Sequence, residues 1–198
     1  MNFLAHLYLS GDDDDILIGN FIADSVKGSA LARYPERIQE GIVLHRKIDQ
    51  FTDEHPVVLK GKVRLRPKFH KYAPVIMDVF YDHFLAIHWD DYCSVSLTDY
   101  VKAVYELLEK NTESFPERTK MMLPYMIGGN WLEGYRHLEG INRSLTGMSK
   151  RTNFKSDMEF ATKDLERNYD FYEEEFNEFF PLLVDYVKSL GYLSRLRT

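Results

Sequence analysis

Histidine and aspartate recur at a four-residue spacing in LHRKIDQFTDEHP, residues 44–56. His45, Asp49 and Asp53 occupy positions i, i+4 and i+8, which share one face of an α-helix. An imidazole and carboxylates on one stripe can ligate a divalent cation, and they can equally form a solvated face. Asp53 is the weakest member, because Pro56 follows closely and helices end before proline.

The segment VIMDVFYDHFLAIHW, residues 75–89, carries acids and histidines in an apolar helix. Apart from Tyr81, its ionisable side chains are Asp78, Asp82, His83 and His88. A helix that is apolar on every side is normally buried. A buried carboxylate is costly unless it is paired, hydrogen-bonded or bound to a metal. The two aspartates would also meet on one face, so this helix needs a cation or shared protons.

Two other apolar segments repeat the pattern. ILIGNFIADSV contains Asn20 and Asp24 four residues apart, and MNFLAHL contains Asn2 and His6 at the same spacing. Each pair alone has an ordinary structural interpretation, since core histidines are more often hydrogen-bonded than ligating. Four such segments together predict a metal site inside a helical bundle. Histidine and aspartate without cysteine suit Mn²⁺, Fe²⁺ or Mg²⁺ better than a structural zinc ion.

Helical periodicity dominates the chain that must position these residues. Turn signals divide it into about seven to nine helices, with no convincing set of alternating strands. We therefore predict an all-α, single-domain helical bundle over residues 1–198. Gly19 lowers helix stability by roughly 1 kcal/mol, which indicates either a close backbone approach or an ordinary packing need. The last long amphipathic segment is expected to bend or break at Pro181.

Composition excludes several classes of protein. The net charge of −6 argues against general nucleic-acid binding. Cys93 is the single cysteine, which excludes an internal disulfide and a cysteine-rich zinc site and favours a reducing compartment. No apolar run approaches the roughly 18 residues that a membrane span requires. The N-terminus lacks the basic region of a signal peptide. We expect a cytoplasmic protein that binds neither nucleic acid nor membrane.

A basic segment, KGKVRLRPKFHK at residues 60–71, interrupts this acidic chain. A solvated helix face is its simplest interpretation. The alternative is a docking surface for an acidic partner or for a phosphate-bearing ligand. The residues considered for docking are Lys60, Lys62, Arg64, Arg66 and Lys68.

Six stretches spread over most of the chain carry a family resemblance. They are MNFLAHL at 1–7, GNFIAD at 19–24, GIVLHRKID at 41–49 followed by TD, DVFYDHFLAIHW at 78–89, NWLEGYRHLEGI at 130–141 and GMSKRT at 147–152. In this order they resemble the acyl carrier protein phosphodiesterase family. The resemblance implies an enzyme that hydrolyses the phosphodiester joining 4′-phosphopantetheine to a serine of holo-acyl carrier protein. Its cofactor would be Mn²⁺ and its products apo-carrier protein and 4′-phosphopantetheine.

The same family is regarded as a divergent relative of the HD-domain metal phosphohydrolases. This chain departs from the HD pattern, because Asp82 and His83 stand in the reverse order. Under the resemblance we predict four metal ligands, which are Asp24, His45, Asp82 and His83.

Further site residues follow from the expected hydrolysis. Asp49 and Asp78 are predicted as additional ligands or as groups that orient the ligands. Arg46 or Lys47 would hold the phosphate, and both are equally consistent with an exposed position. The basic segment at 60–71 would then dock the acidic carrier protein.

Three other functions remain open at this point. An HD-like phosphohydrolase acting on a nucleotide or another small phosphate ester would share the metal chemistry. A non-catalytic protein that binds carrier protein would share the basic segment. A purely structural helical bundle would need neither feature.

Overall fold

The computed structural model describes residues 1–193, and within them it contains α-helices and short 3₁₀ turns but no strand. The all-α prediction is therefore confirmed. Eight of the twelve α-helices have nine or more residues, in agreement with the predicted number. The helices are α1 Phe3–Tyr8, α2 Asp14–Ile22, α3 Glu36–Glu54, α4 Pro56–Phe69, α5 Ala73–Ile87, α6 Trp89–Tyr92, α7 Leu97–Lys110, α8 Glu117–Gly128, α9 Trp131–Gly134, α10 Leu138–Ser149, α11 Ala161–Arg167 and α12 Tyr169–Ser189.

Helix α5 lies in the middle of the hydrophobic core. Most of its residues are buried, as its apolar sequence predicts. It contacts α1, α4, α10 and α12, and the buried apolar residues form one continuous cluster. Within the described range, no helix combines the length and apolar character that crossing a bilayer would need.

Helices α2 and α3 cross with their backbones in direct contact. A Cβ atom added to Gly19 would lie 2.1 Å from the Ile38 carbonyl oxygen, and one added to Gly41 would lie 2.2 Å from the Ile16 carbonyl oxygen. Only glycine fits at both positions, because the obstructing atoms belong to the backbone. A close backbone approach therefore explains Gly19. The crossing also brings the end of α2 against the middle of α3.

The helix break expected at Pro181 is not found there. Pro181 lies inside α12, and the break falls at Asn168, between α11 and α12. The proline ring removes the hydrogen bond to the Asn177 carbonyl. Phe176 and Phe180 nevertheless bury their side chains completely on either side of that carbonyl. Packing of this aromatic face therefore outweighs one lost hydrogen bond.

Candidate metal centre

His6 of α1 meets His45 and Asp49 of α3. His6 Nε2 lies 3.1 Å from Asp49 Oδ1, and His45 Nε2 lies 3.2 Å from Asp49 Oδ2. The two imidazole rings stack with centroids 3.9 Å apart and an interplanar angle of 15°. One donor atom from each of the three residues lies within 4.8 Å of the other two. This spacing allows all three to ligate one divalent cation.

Asn20 fixes the orientation of His45. His45 Nδ1 lies 3.0 Å from both the backbone oxygen and Oδ1 of Asn20. Both atoms are acceptors, so Nδ1 carries the proton and Nε2 faces Asp49. The Asn20 amide nitrogen in turn donates to the His6 carbonyl at 2.9 Å and to Ser10 Oγ at 3.0 Å. One buried asparagine thus joins both histidine-bearing helices, as groups around metal ligands often do.

The two imidazoles differ in protonation. Burial and the neighbouring His45 lower the pKa of His6 to about 4, so its ring is neutral at neutral pH. Burial alone would lower the pKa of His45, but hydrogen bonds to Asp24 and Asp49 raise it to about 9. Burial would likewise raise the pKa of Asp49, and hydrogen bonds from the two histidines lower it instead. A bound cation must therefore displace the proton on Nε2 of His45, the nitrogen that faces Asp24 and Asp49.

The donor set fits a divalent cation. It offers two imidazole nitrogens and the Asp49 carboxylate, and Asp24 Oδ1 adds a further oxygen 3.4 Å from His45 Nε2. Such mixed nitrogen and oxygen sets suit Mn²⁺ and Fe²⁺. The other nitrogen of His6, Nδ1, is buried without a hydrogen-bond partner within residues 1–193. The protein alone therefore leaves this ring incompletely bonded.

Asp82 lies outside the cluster and holds the first turn of α1. Its carboxylate accepts backbone N–H groups from Asn2 at 3.2 Å, Leu4 at 2.7 Å and Ala5 at 3.3 Å. These are the N–H groups that a helix start leaves without intrahelical partners. Burial raises the pKa of Asp82 to about 7, against the effect of these donors. The buried carboxylate predicted as a ligand therefore serves as a helix cap.

His83 is also bonded away from the cluster. Its Nδ1 donates to the Tyr135 carbonyl at 2.7 Å, so its Nε2 accepts from the Tyr169 hydroxyl at 2.9 Å. Burial lowers the pKa of His83, which keeps the ring neutral. Both ring nitrogens are thus used by the protein. In this geometry neither His83 nor Asp82 joins the cluster of His6, His45 and Asp49, so the four ligands predicted from the sequence are not brought together.

His6 is the ligand candidate that the sequence did not assign. The available signal was the four-residue spacing of Asn2 and His6 in an apolar segment. On a helix of six residues, this spacing does not indicate which neighbouring helix the side chains face. Asn2 instead donates from its side chain to the Tyr135 hydroxyl at 2.9 Å. The ring of His6 is buried and points to Asp49 across a sequence separation of 43 residues.

An open cleft of about 480 Å³ borders the cluster. Asp24, His45 and Asp49 form part of its wall, and α5 contributes Asp78. Burial raises the pKa of Asp78, although the amino group of Met1 donates to its carboxylate at 2.9 Å. Asp78 thus places a carboxylate in the cleft wall, paired with the N-terminal amino group.

The arginines that line the cleft differ from Arg46, the arginine predicted from the sequence to hold the phosphate. Arg46 is exposed and donates to the Val26 carbonyl at 3.2 Å, and the described lining residues include neither Arg46 nor Lys47. Arg118 of α8 and Arg151, two residues beyond α10, line the cleft instead. The only sequence signal for them was GMSKRT, which contains Arg151. An anion in the cleft would meet these two guanidinium groups.

Three basic residues of α4 are held in ion pairs. Lys62 is only 3% exposed and its Nζ lies 2.6 Å from Asp53 Oδ1. Arg64 donates to both carboxylate oxygens of Glu175, and Lys68 pairs with Asp164. The remaining two, Lys60 and Arg66, are exposed and make no hydrogen bond or ion pair with the described part of the chain. Of the five residues predicted for docking, these two are therefore the ones whose side chains are unpaired within residues 1–193.

Comparisons with known proteins cover almost the whole chain. The sequence profile described as acyl carrier protein phosphodiesterase matches residues 1–183. A relative of that name from Enterobacter sp. (strain 638) is 35% identical over 190 residues, which is 96% of this chain and 98% of the relative. Relatives of the same name from Klebsiella pneumoniae subsp. pneumoniae and Salmonella paratyphi A are each 35% identical over 185 residues, 93% of this chain and 96% of each relative. No solved structure matches, so the expected HD-like fold stays a prediction. The chain belongs to the acyl carrier protein phosphodiesterase family and is a phosphodiesterase.

Proposed function

We propose that the protein hydrolyses the phosphodiester between 4′-phosphopantetheine and the serine of holo-acyl carrier protein, with a divalent cation, Mn²⁺, as cofactor. The cluster of His6, His45 and Asp49 at the wall of an arginine-bearing cleft is the observation that carries this proposal. The names of the relatives support the substrate. The combination of metal ligands and arginines suits a phosphate ester better than an acyl or glycosyl bond.

The proposed ligands are His6, His45 and Asp49, with Asp24 as a fourth. When bound, a divalent cation lowers the pKa of a coordinated water and polarises a phosphoryl oxygen. Asn20 keeps the Nε2 lone pair of His45 directed at the cluster. Asp24 and Asp49, the two carboxylates that raise the pKa of His45, lie beside the position that the cation would take. Their two negative charges favour a doubly charged ion there.

Arg118 and Arg151 are the proposed phosphate-binding residues, in place of Arg46. A guanidinium group donates two parallel N–H bonds to a phosphate, which fixes its orientation as well as its charge. Asp78 is the proposed acceptor of the proton released when water attacks, since its carboxylate lines the same cleft as the cluster.

Incubation of the purified protein with holo-acyl carrier protein tests this function. We expect loss of the phosphopantetheine mass from the carrier with Mn²⁺, and an unchanged mass when a chelator is added. Intact-mass spectrometry of the carrier and detection of free 4′-phosphopantetheine measure both products. An unchanged carrier together with metal-dependent cleavage of small diesters would instead support the alternative phosphohydrolase.

Docking of the acidic carrier is proposed to use Lys60 and Arg66, the two residues of the basic segment without internal partners. Replacing both with glutamate should raise the KM for holo-carrier about tenfold at low ionic strength, with kcat nearly unchanged. The effect should shrink at high salt, because exposed charges are screened. Lys188→Glu on α12 is the matched surface control. An unchanged KM at low salt would contradict the docking role of α4.

A further inference from the structure

A second groove continues from the cleft between α8 and α10, with a volume of about 740 Å³. Four residues line both spaces, and they are Arg118, Met122, Met148 and Arg151. The cleft and the groove therefore adjoin, and Arg118 and Arg151 lie at their junction. A ligand whose phosphate lies at that junction has the metal centre on one side and the groove on the other.

The groove away from this junction is uncovered and mostly apolar, with Arg143 and Ser144 as its polar side chains. Met121 is 65% exposed and Tyr125 is 75% exposed, although both are large apolar side chains, and Trp131 lies beside them. Gly128 and Gly147 also line it, and a Cβ atom added to either glycine would meet nothing within 4 Å. Exposed apolar side chains next to open backbone are typical of a binding groove rather than of a solvated surface.

We propose that this groove binds the pantetheine arm of the substrate, an inference that rests on the proposed function. The arm carries its phosphate at one end and is uncharged beyond it, with a dimethyl group, amides and a terminal thiol. That distribution matches a groove that starts at two arginines and continues along methionine, tyrosine and tryptophan side chains, where Ser144 and Arg143 are polar partners for the amides. Carboxylates of a protein surface would lose hydration against the methionine, tyrosine and tryptophan side chains, whereas the uncharged arm would not.

Two variants change the groove without disturbing the core, one by removing part of its wall and the other by filling its space. Tyr125→Ala removes an exposed wall, and Gly147→Leu places a side chain into open space. Leu182→Ala on α12, an apolar residue that is 46% exposed and lies outside both cavities, is the matched control. The probes are 4′-phosphopantetheine and inorganic phosphate, titrated by calorimetry into the Mn²⁺-loaded protein. The KM for holo-carrier is measured in parallel.

We expect both groove variants to weaken 4′-phosphopantetheine binding about fivefold or more, and Leu182→Ala to have no such effect. Inorganic phosphate should bind the three variants alike, since it does not reach the groove. An unchanged Kd for 4′-phosphopantetheine with a raised KM for holo-carrier would overturn the proposal and assign the groove to the carrier surface. Equal losses for phosphate and 4′-phosphopantetheine would overturn it too. If wild-type protein leaves holo-carrier intact but the variants still lose 4′-phosphopantetheine binding, the groove assignment stands and the proposed function fails.

Discussion

Replacing Asp49 with asparagine is expected to reduce holo-carrier hydrolysis by more than about 100-fold. Loss of a group that merely orients a metal ligand costs about 10–100-fold, and Asp49 contacts both histidines of the cluster directly. The amide has the same shape but carries no charge, so it cannot offset the charge of a cation. Steady-state kinetics at saturating Mn²⁺ and a direct Mn²⁺ titration measure the two consequences separately.

The matched control for this substitution is Glu40→Gln. Glu40 lies on the same helix, but its carboxylate is exposed and pairs with Arg37. We expect activity and Mn²⁺ affinity close to wild type. If Asp49→Asn kept Mn²⁺ affinity while losing turnover, Asp49 would act on the substrate and not on the cation. Near-normal turnover with Mn²⁺ would contradict the cluster as the catalytic centre.

The second large effect is expected from Gly41→Ala, which should destabilise the protein by about 3 kcal/mol or more. The added methyl would lie 2.2 Å from the Ile16 carbonyl oxygen and 2.9 Å from Gly19 Cα, so α2 and α3 must separate. Helix propensity alone predicts the opposite sign, since alanine is favoured over glycine by roughly 1 kcal/mol. Urea unfolding followed by circular dichroism therefore decides between the two effects.

Gly147→Ala is the control, because it introduces the same methyl group into a helix where nothing lies within 4 Å. We expect neutral or slightly raised stability for this variant. A neutral result for Gly41→Ala would show that the crossing can relax at little cost. Separation of the helices should also weaken Mn²⁺ binding, since Asn20 would no longer reach His45.

Much of the fold could be predicted from local patterns. Helical periodicity along the chain predicted an all-α protein, and the apolar run at residues 75–89 predicted the buried helix α5, because both patterns are properties of neighbouring residues. The helix break predicted at Pro181 was wrong because that prediction, too, used only local information. The local cost of the proline is fixed by the ring, whereas the packing of Phe176 and Phe180 that compensates depends on partners distant in sequence.

The site was predictable where its members share one helix. His45 and Asp49 lie one turn apart on α3, so their meeting follows from helix geometry. His6, Arg118 and Arg151 come from other helices, and no spacing rule relates them to α3. Asp82 and His83 show that burial of a polar side chain does not identify its partner. Buried polar residues signal that a partner exists, and a helix terminus or a tyrosine satisfies that need as well as a metal does.

The cap that Asp82 provides has a consequence for the order of folding. Helix α1 has six residues, too few to be stable in isolation. Its capping bond from Leu4 to Asp82 spans 78 residues, so α1 can form only after the chain has closed that loop onto α5. Because His6 lies on α1, its meeting with His45 and Asp49 depends on the same loop closure.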